Sequence, residues 1–145
     1  MTDGLVAFVK ARLNDDELTA LAASAGPWRS HTGPIAKWLS KGNLVHLVWT
    51  WDRMVGNPMI MTEAWADSQH IARQDPARTL REVKAARAVL ALYEEAWERM
   101  DRAMDDSDTV AYQEARTEQR TLRKVLLCEA AVHEAHPDYL EEWGL

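Results

Sequence analysis

The sequence predicts a mainly α (α+β) fold: a four-helix bundle-like domain with a long central helix, a short C-terminal helix and a small antiparallel β-hairpin or meander after the first helix. Two observations support this prediction. Apolar residues recur at steps of three and four through most of the chain, which is the helical period. One stretch, about residues 34–62, instead has turn signals between short runs rich in Val, Ile, Leu and Trp. A chain of 145 residues is expected to form a single domain over residues 1–145.

The first helix is predicted over about residues 3–25. Asp3 can cap its start, and Gly26-Pro27 is expected to stop it. Its apolar face is expected to consist of Leu5, Phe8, Val9, Leu13, Leu18 and Leu21.

The meander is predicted over about residues 34–62, where SKGN and VGNP are the turn signals. Successive side chains of a strand point to opposite faces. We expect Val45, Leu47, Trp49 and Trp51 to face inward, and Val48 to lie on the other face. Because so small a sheet is marginal alone, it is expected to pack on helices.

Two helices are predicted to meet at Asp75-Pro76, the first over about residues 63–74 and the longest over 76–105. Proline fits the first turn of a helix and disfavours helix at the preceding residue. The Asp75 carboxylate can accept hydrogen bonds from free amides of the new helix. The seam of the long helix is predicted to be Val83, Ala86, Leu90, Tyr93, Trp97, Met100 and Met104.

After the acidic loop DDSDT, Asp108 is expected to cap a helix over about residues 109–135, which forms a helical hairpin with the long helix. A tail helix is predicted over 137–143. We expect Tyr139, Leu140 and Trp143 of this tail to dock on the bundle.

The composition and the charge argue against several classes of function. The net charge of −6 disfavours direct binding to nucleic acid, which requires an excess of basic residues. The N-terminus does not read as a secretory signal, no stretch approaches the ~20 apolar residues of a membrane span, and a single cysteine predicts a reducing, cytoplasmic environment. That residue, Cys128, is expected to be a buried and inert thiol.

Two strings, HIARQDPARTLREVKAARAVL in the middle and HPDYLEEW near the end, resemble an uncharacterised family (a domain of unknown function) of small actinobacterial and actinophage proteins. The opening LVAFVKARLNDDE also looks like the start of that family. The resemblance implies a bacterial or phage cytoplasmic protein, and it implies no activity. Relatives look as if they have cysteines before the tail, some as Cys-x-x-Cys, whereas DDSDTVAYQEARTEQRT has none, so a zinc role is not transferred to this chain.

One candidate site lies at the predicted helix joint, where His70, Arg73 and Arg78 flank Asp75. In a functional interpretation, His70 is a general base or ligand and the two arginines hold an anion. In a structural interpretation, which we favour, Asp75 is a cap and the other side chains bond to the end of the preceding helix.

Glu129, His133 and His136 are a weak candidate for a metal site, since Glu129 and His133 share a helix face. HEAH does not have the spacing of the zinc-protease helix motif, and His136 is expected at a helix end. The sequence therefore predicts no metal and no cofactor.

Tryptophan is unusually frequent, with seven residues against one phenylalanine. Trp38, Trp49 and Trp51 are candidates for an interaction surface, although a core role is favoured for the tryptophans as a group.

These features predict a non-enzymatic protein-interaction protein or a self-associating homo-oligomer. Two alternatives stay open: a small ligand-binding protein or enzyme that uses His70, Arg73 and Arg78 against an anionic ligand, and an acidic inhibitor of a host nucleic-acid-binding protein.

Overall fold

The computed structural model describes residues 4–23, 28–31, 46–50, 60–62 and 65–144. Helix α1 spans Gly4–Ala22, α2 spans Trp65–Arg73, α3 spans Pro76–Asp105 and α4 spans Thr109–Ala131. Strands β1, β2 and β3 span Trp28–His31, His46–Thr50 and Ile60–Thr62, and a 3₁₀ helix spans Glu141–Trp143. The predicted mainly α fold class is confirmed. Among these helices, none combines the length and apolar character that crossing a bilayer requires.

The chain forms two compact units, one of Met1–Asp15 with Val83–Leu145 and the other of Asp16–Glu82. The prediction of one domain over residues 1–145 stays a prediction.

The core of the first unit is built from three helices and the tail. Its buried residues are Leu5, Phe8, Val9 and Leu13 of α1, Val83, Ala86, Leu90 and Tyr93 of α3, Leu126 and Ala130 of α4, and Trp143. Apolar residues on one side of each helix meet here, as the helical period predicts.

The predicted seam of α3 is wrong at two positions. Trp97 is 40% exposed and Met104 is 63% exposed, whereas Ala96 is completely buried and Ala103 nearly so. Ala115, on the facing helix α4, is also buried. The smaller alanines therefore take the inner positions in this part of α3, and their larger neighbours turn outward.

The predicted apolar face of α1 fails after Leu13. Leu18 and Leu21 are about two-thirds exposed, and Ala20 is buried instead. Ala20 lies seven residues after Leu13, which is two turns along the same face, whereas Leu18 and Leu21 lie off that face.

The second unit contains a three-stranded antiparallel sheet of order β1-β2-β3, with helix α2 in contact with all three strands. The first strand begins at Trp28, six residues before the predicted start of the meander at residue 34. Val48 of β2 pairs with Ser30 and with Ile60, and its side chain is completely buried. The prediction that Val48 faces outward is therefore wrong.

The α3–α4 turn is defined by backbone hydrogen bonds. The Ser107 N–H donates to the Met104 carbonyl at 3.1 Å, and the Asp108 N–H donates to the Ala103 carbonyl at 2.9 Å. This is the Schellman ending of a helix, and Ser107 has the positive φ of 53° that the ending requires. Asp108 then caps α4, since its carboxylate accepts from the Val110 and Ala111 amides.

The tail packs around Phe8, the single phenylalanine of the chain. The Phe8 ring centroid lies 5.1 Å from that of Trp143 and 6.0 Å from that of Tyr139. Leu140 is 47% exposed, so the prediction that it docks with them is wrong. Helix α4 ends at Ala131, before the predicted residue 135, and only Glu141–Trp143 of the tail is helical, in the tighter 3₁₀ form.

Candidate functional site

The joint between α2 and α3 engages Arg78 in local contacts. The Arg78 amide donates to Asp75 Oδ1 at 2.6 Å, so Asp75 caps α3. The Arg78 guanidinium donates to Glu82 Oε1 at 2.6 Å and to the Arg73 carbonyl at 3.5 Å, at the end of α2. These bonds are the ones that the structural interpretation of this stretch requires.

His70 and Arg73 lie in the last turn of α2, and both are exposed. Within the described residues, His70 forms no hydrogen bond or ion pair with either arginine. The joint therefore has the geometry of a helix connection, and anion binding there stays a prediction.

The two histidines of the candidate metal site pack beside Phe8. Its ring centroid is 5.8 Å from that of His136 and 6.4 Å from that of His133, edge to face in both cases. His136 Nε2 contacts an Arg12 guanidinium nitrogen, and His136 Nδ1 lies 3.1 Å from the Asp138 amide. Over the part of the chain that the structure describes, no three His, Cys, Asp or Glu side chains are placed to hold a metal ion.

Of the predicted interaction tryptophans, Trp38 and Trp51 lie outside the described residues. Trp49 lies in β2 opposite Arg29, and its side chain is also outside the description. Their role as an interaction surface stays a prediction.

Cys128 is exposed, so the prediction of a buried thiol is wrong. The buried residues of α4 are Ala115, Gln119, Leu126 and Ala130. Cys128 lies two residues from both Leu126 and Ala130, which places it about 200° around the helix, on the opposite side. The apolar sequence around Cys128 concealed this, because that segment has apolar residues on both faces.

Sequence reasoning missed a surface at the end of the α3–α4 hairpin. We call it the hairpin-tip surface: the exposed Trp97 and Met104 together with an open cavity of about 390 Å³ beside Met104. The cavity is lined by Ala103, Met104, Ser107, Asp108, Thr109, Tyr112 and Gln113.

Charged side chains line the other side of the hairpin. A second open cavity there, of about 290 Å³, has Arg99, Arg102, Asp106 and Glu114 in its wall. Arg99 also forms an ion pair with Glu118, with 2.5 Å between Nη2 and Oε2. The tip of the hairpin thus has one side with exposed large apolar groups and one side with charges of both signs.

Ser107 adds a second unusual property to the hairpin-tip surface. An L-residue with positive φ is strained by about 1–2 kcal/mol, and glycine is the usual residue at this position of a helix ending. Such strain is concentrated at functional sites in proteins. In the sequence, the acidic loop DDSD between two helical stretches indicated a turn at this place. It did not indicate that the large apolar residues near the turn would be exposed.

The comparisons with known proteins give a family and no activity. Residues 2–145 match a family of unknown function (DUF6221). No curated protein and no solved structure matches the chain.

Proposed function

We propose that this chain, which belongs to the DUF6221 family of unknown function, is a non-enzymatic protein-interaction protein of the bacterial or phage cytoplasm. Its hairpin-tip surface binds an apolar side chain of a partner protein. The observation that supports this most is the exposure of two large apolar groups, Trp97 and Met104, with an open cavity beside Met104.

The spacing of these two residues places them on one side of α3. Trp97 and Met104 are seven residues apart in α3, so they lie on the same side, about 10 Å apart along the helix axis. Tryptophan and methionine are enriched in protein interfaces, and tryptophan is among the residues that most often dominate binding energy. The flexible methionine side chain can adapt to the shape of an anchor residue.

The size of the cavity also suits an interface. The charged wall formed by Arg99, Arg102, Asp106 and Glu114 lies on the other side of the hairpin and is outside the proposed contact. The cavity volume is near the lower end of the ~300–1,000 Å³ range of ligand pockets, which fits a protruding side chain better than a large cofactor.

The two alternative functions stay predictions. The contacts of Arg78 with Glu82 and with the α2 carbonyl at Arg73 weigh against the anion site, because they occupy its guanidinium. An acidic inhibitor needs carboxylates spaced like phosphates, and nothing in the described residues favours that arrangement.

The test places a photo-cross-linking amino acid at one of two neighbouring exposed positions of α4. Gln113 lines the apolar cavity, and Glu114 lines the charged one, so Glu114 is a matched control. We expect a discrete protein adduct from position 113 in extracts of the source cells, lost on Met104→Asp and absent from position 114. Equal adducts from both positions, or an adduct that is indifferent to Met104→Asp, would contradict the proposal.

A further inference from the structure

Helix α4 has a second exposed stripe on the side opposite its buried face. We call it the α4 stripe: Thr121, Val125, Cys128 and Val132, spaced by four, three and four residues. All four are exposed, with Val132 at 76%. Val132 follows the last helical residue and keeps helical dihedral angles, so it continues the stripe. This spacing is the one by which two helices pack along each other.

The charges beside the α4 stripe are arranged asymmetrically. Lys124 and Glu129 lie on opposite edges, because one residue turns the helix by about 100°. Lys124 is exposed and Glu129 is half-buried. Lys124 therefore makes one edge cationic, and Glu129 makes the other edge anionic about 7.5 Å further along the helix axis.

We infer that a second copy of this chain packs on the α4 stripe, with the two α4 helices parallel about a two-fold axis. In a parallel pair, a residue on one edge faces the residue five positions later on the opposite edge of the other helix. Lys124 and Glu129 are five apart, so each copy's Lys124 faces the other copy's Glu129, and the symmetry repeats this pair.

The same charges favour the parallel over the antiparallel arrangement. In an antiparallel two-fold pair, the edge with Lys124 meets the same edge of the partner, so Glu129 does not lie opposite Lys124. Only the parallel orientation brings these opposite charges together, which makes it the self-complementary one. A parallel pair also places the two Cys128 side chains opposite each other across the axis.

This inference concerns a different face from the hairpin-tip surface, so either can fail without the other. The first experiment measures molecular mass by sedimentation over a range of protein concentrations. We expect a reversible monomer–dimer equilibrium. Val132→Asp should weaken it by about tenfold or more, whereas Leu92→Asp, at an exposed leucine of α3, should leave it unchanged. A wild-type protein that stays monomeric at all concentrations would overturn the inference.

A charge exchange tests the orientation. Lys124→Glu alone should weaken the dimer, because two carboxylates then face each other in each of the two symmetry-related pairs. Adding Glu129→Lys should restore the dimer, since the opposite charges face each other again with their positions reversed. Failure of the double variant to recover, or no effect of the single one, would refute the parallel arrangement.

Cys128 provides a direct distance readout, because it is the one cysteine of the chain. A short bifunctional maleimide should join two wild-type chains, and should do so far less in Val132→Asp. Cys128→Ser is the blank, and circular dichroism of each variant verifies the fold. Cross-linking as efficient in Val132→Asp as in the wild type would contradict the inference. The photo-cross-linked adduct from position 113 is then measured in the Val132→Asp variant. It should be unchanged, because the hairpin-tip surface and the α4 stripe are different faces.

Discussion

Replacement of Ser107 by glycine should stabilise the protein. Ser107 occupies the position after α3 where the backbone must adopt a positive φ, and it has φ of 53°. The turn is kept by two backbone bonds, from Ser107 to Met104 and from Asp108 to Ala103, and neither involves the serine side chain. Glycine can therefore make the same turn without the clash of a Cβ atom.

The magnitude follows from two opposing terms. The left-handed conformation costs an L-residue about 1–2 kcal/mol. Glycine loses more backbone entropy on folding, which costs about 0.5–1 kcal/mol. The free energy of unfolding should thus rise by about 0.5–1 kcal/mol in Ser107→Gly, and the Tm should rise by about 1–4 °C for a chain of this size.

The assay is urea unfolding followed by circular dichroism, with Ser107→Ala as the matched control. Alanine keeps the Cβ atom and therefore the strain, so Ser107→Ala should gain no stability. If the glycine variant were no more stable than the alanine variant, the interpretation of Ser107 as a strained residue would be refuted.

Three further variants test the packing, each by the free energy of unfolding. Trp143→Ala should cost about 3–5 kcal/mol, because its ring is buried against the core. Leu140→Ala, at a half-exposed residue, should cost less than about 1 kcal/mol. Equal losses for the two variants would contradict the packing of the tail. Ala96→Leu should cost about 1–3 kcal/mol by overpacking, which is more than Trp97→Leu should cost at the exposed neighbouring position. A larger cost for Trp97→Leu would instead support the helix seam that the sequence predicted. Asp75→Ala should cost about 1 kcal/mol through loss of the α3 cap, and no loss would refute the capping role.

The helix boundaries that depend on local chemistry could be predicted from the sequence. Helix α3 begins at Pro76 because proline, which lacks an N–H, fits the first turn and Asp75 accepts from the amide of Arg78. Helix α4 begins at Thr109 because Asp108 accepts from two of its free amides. These effects act over a few residues, so the sequence contains all the information they need.

The side of a helix that becomes buried could not be predicted in the same way. Trp97 and Met104 are larger and more hydrophobic than Ala96 and Ala103, yet the alanines are buried. That choice depends on the neighbouring helix, which no local pattern specifies. The hairpin-tip surface was missed for this reason, since it consists of the large residues that this packing turns outward.

The central claim, that the hairpin-tip surface binds a protein, is tested most directly by an affinity measurement. The partner cross-linked through position 113 would be purified, and its Kd measured for the wild type, Met104→Asp and Leu92→Asp. The account predicts a Kd raised about tenfold or more by Met104→Asp, which corresponds to about 1.4 kcal/mol, and unchanged by Leu92→Asp. The same Kd for all three proteins would contradict it.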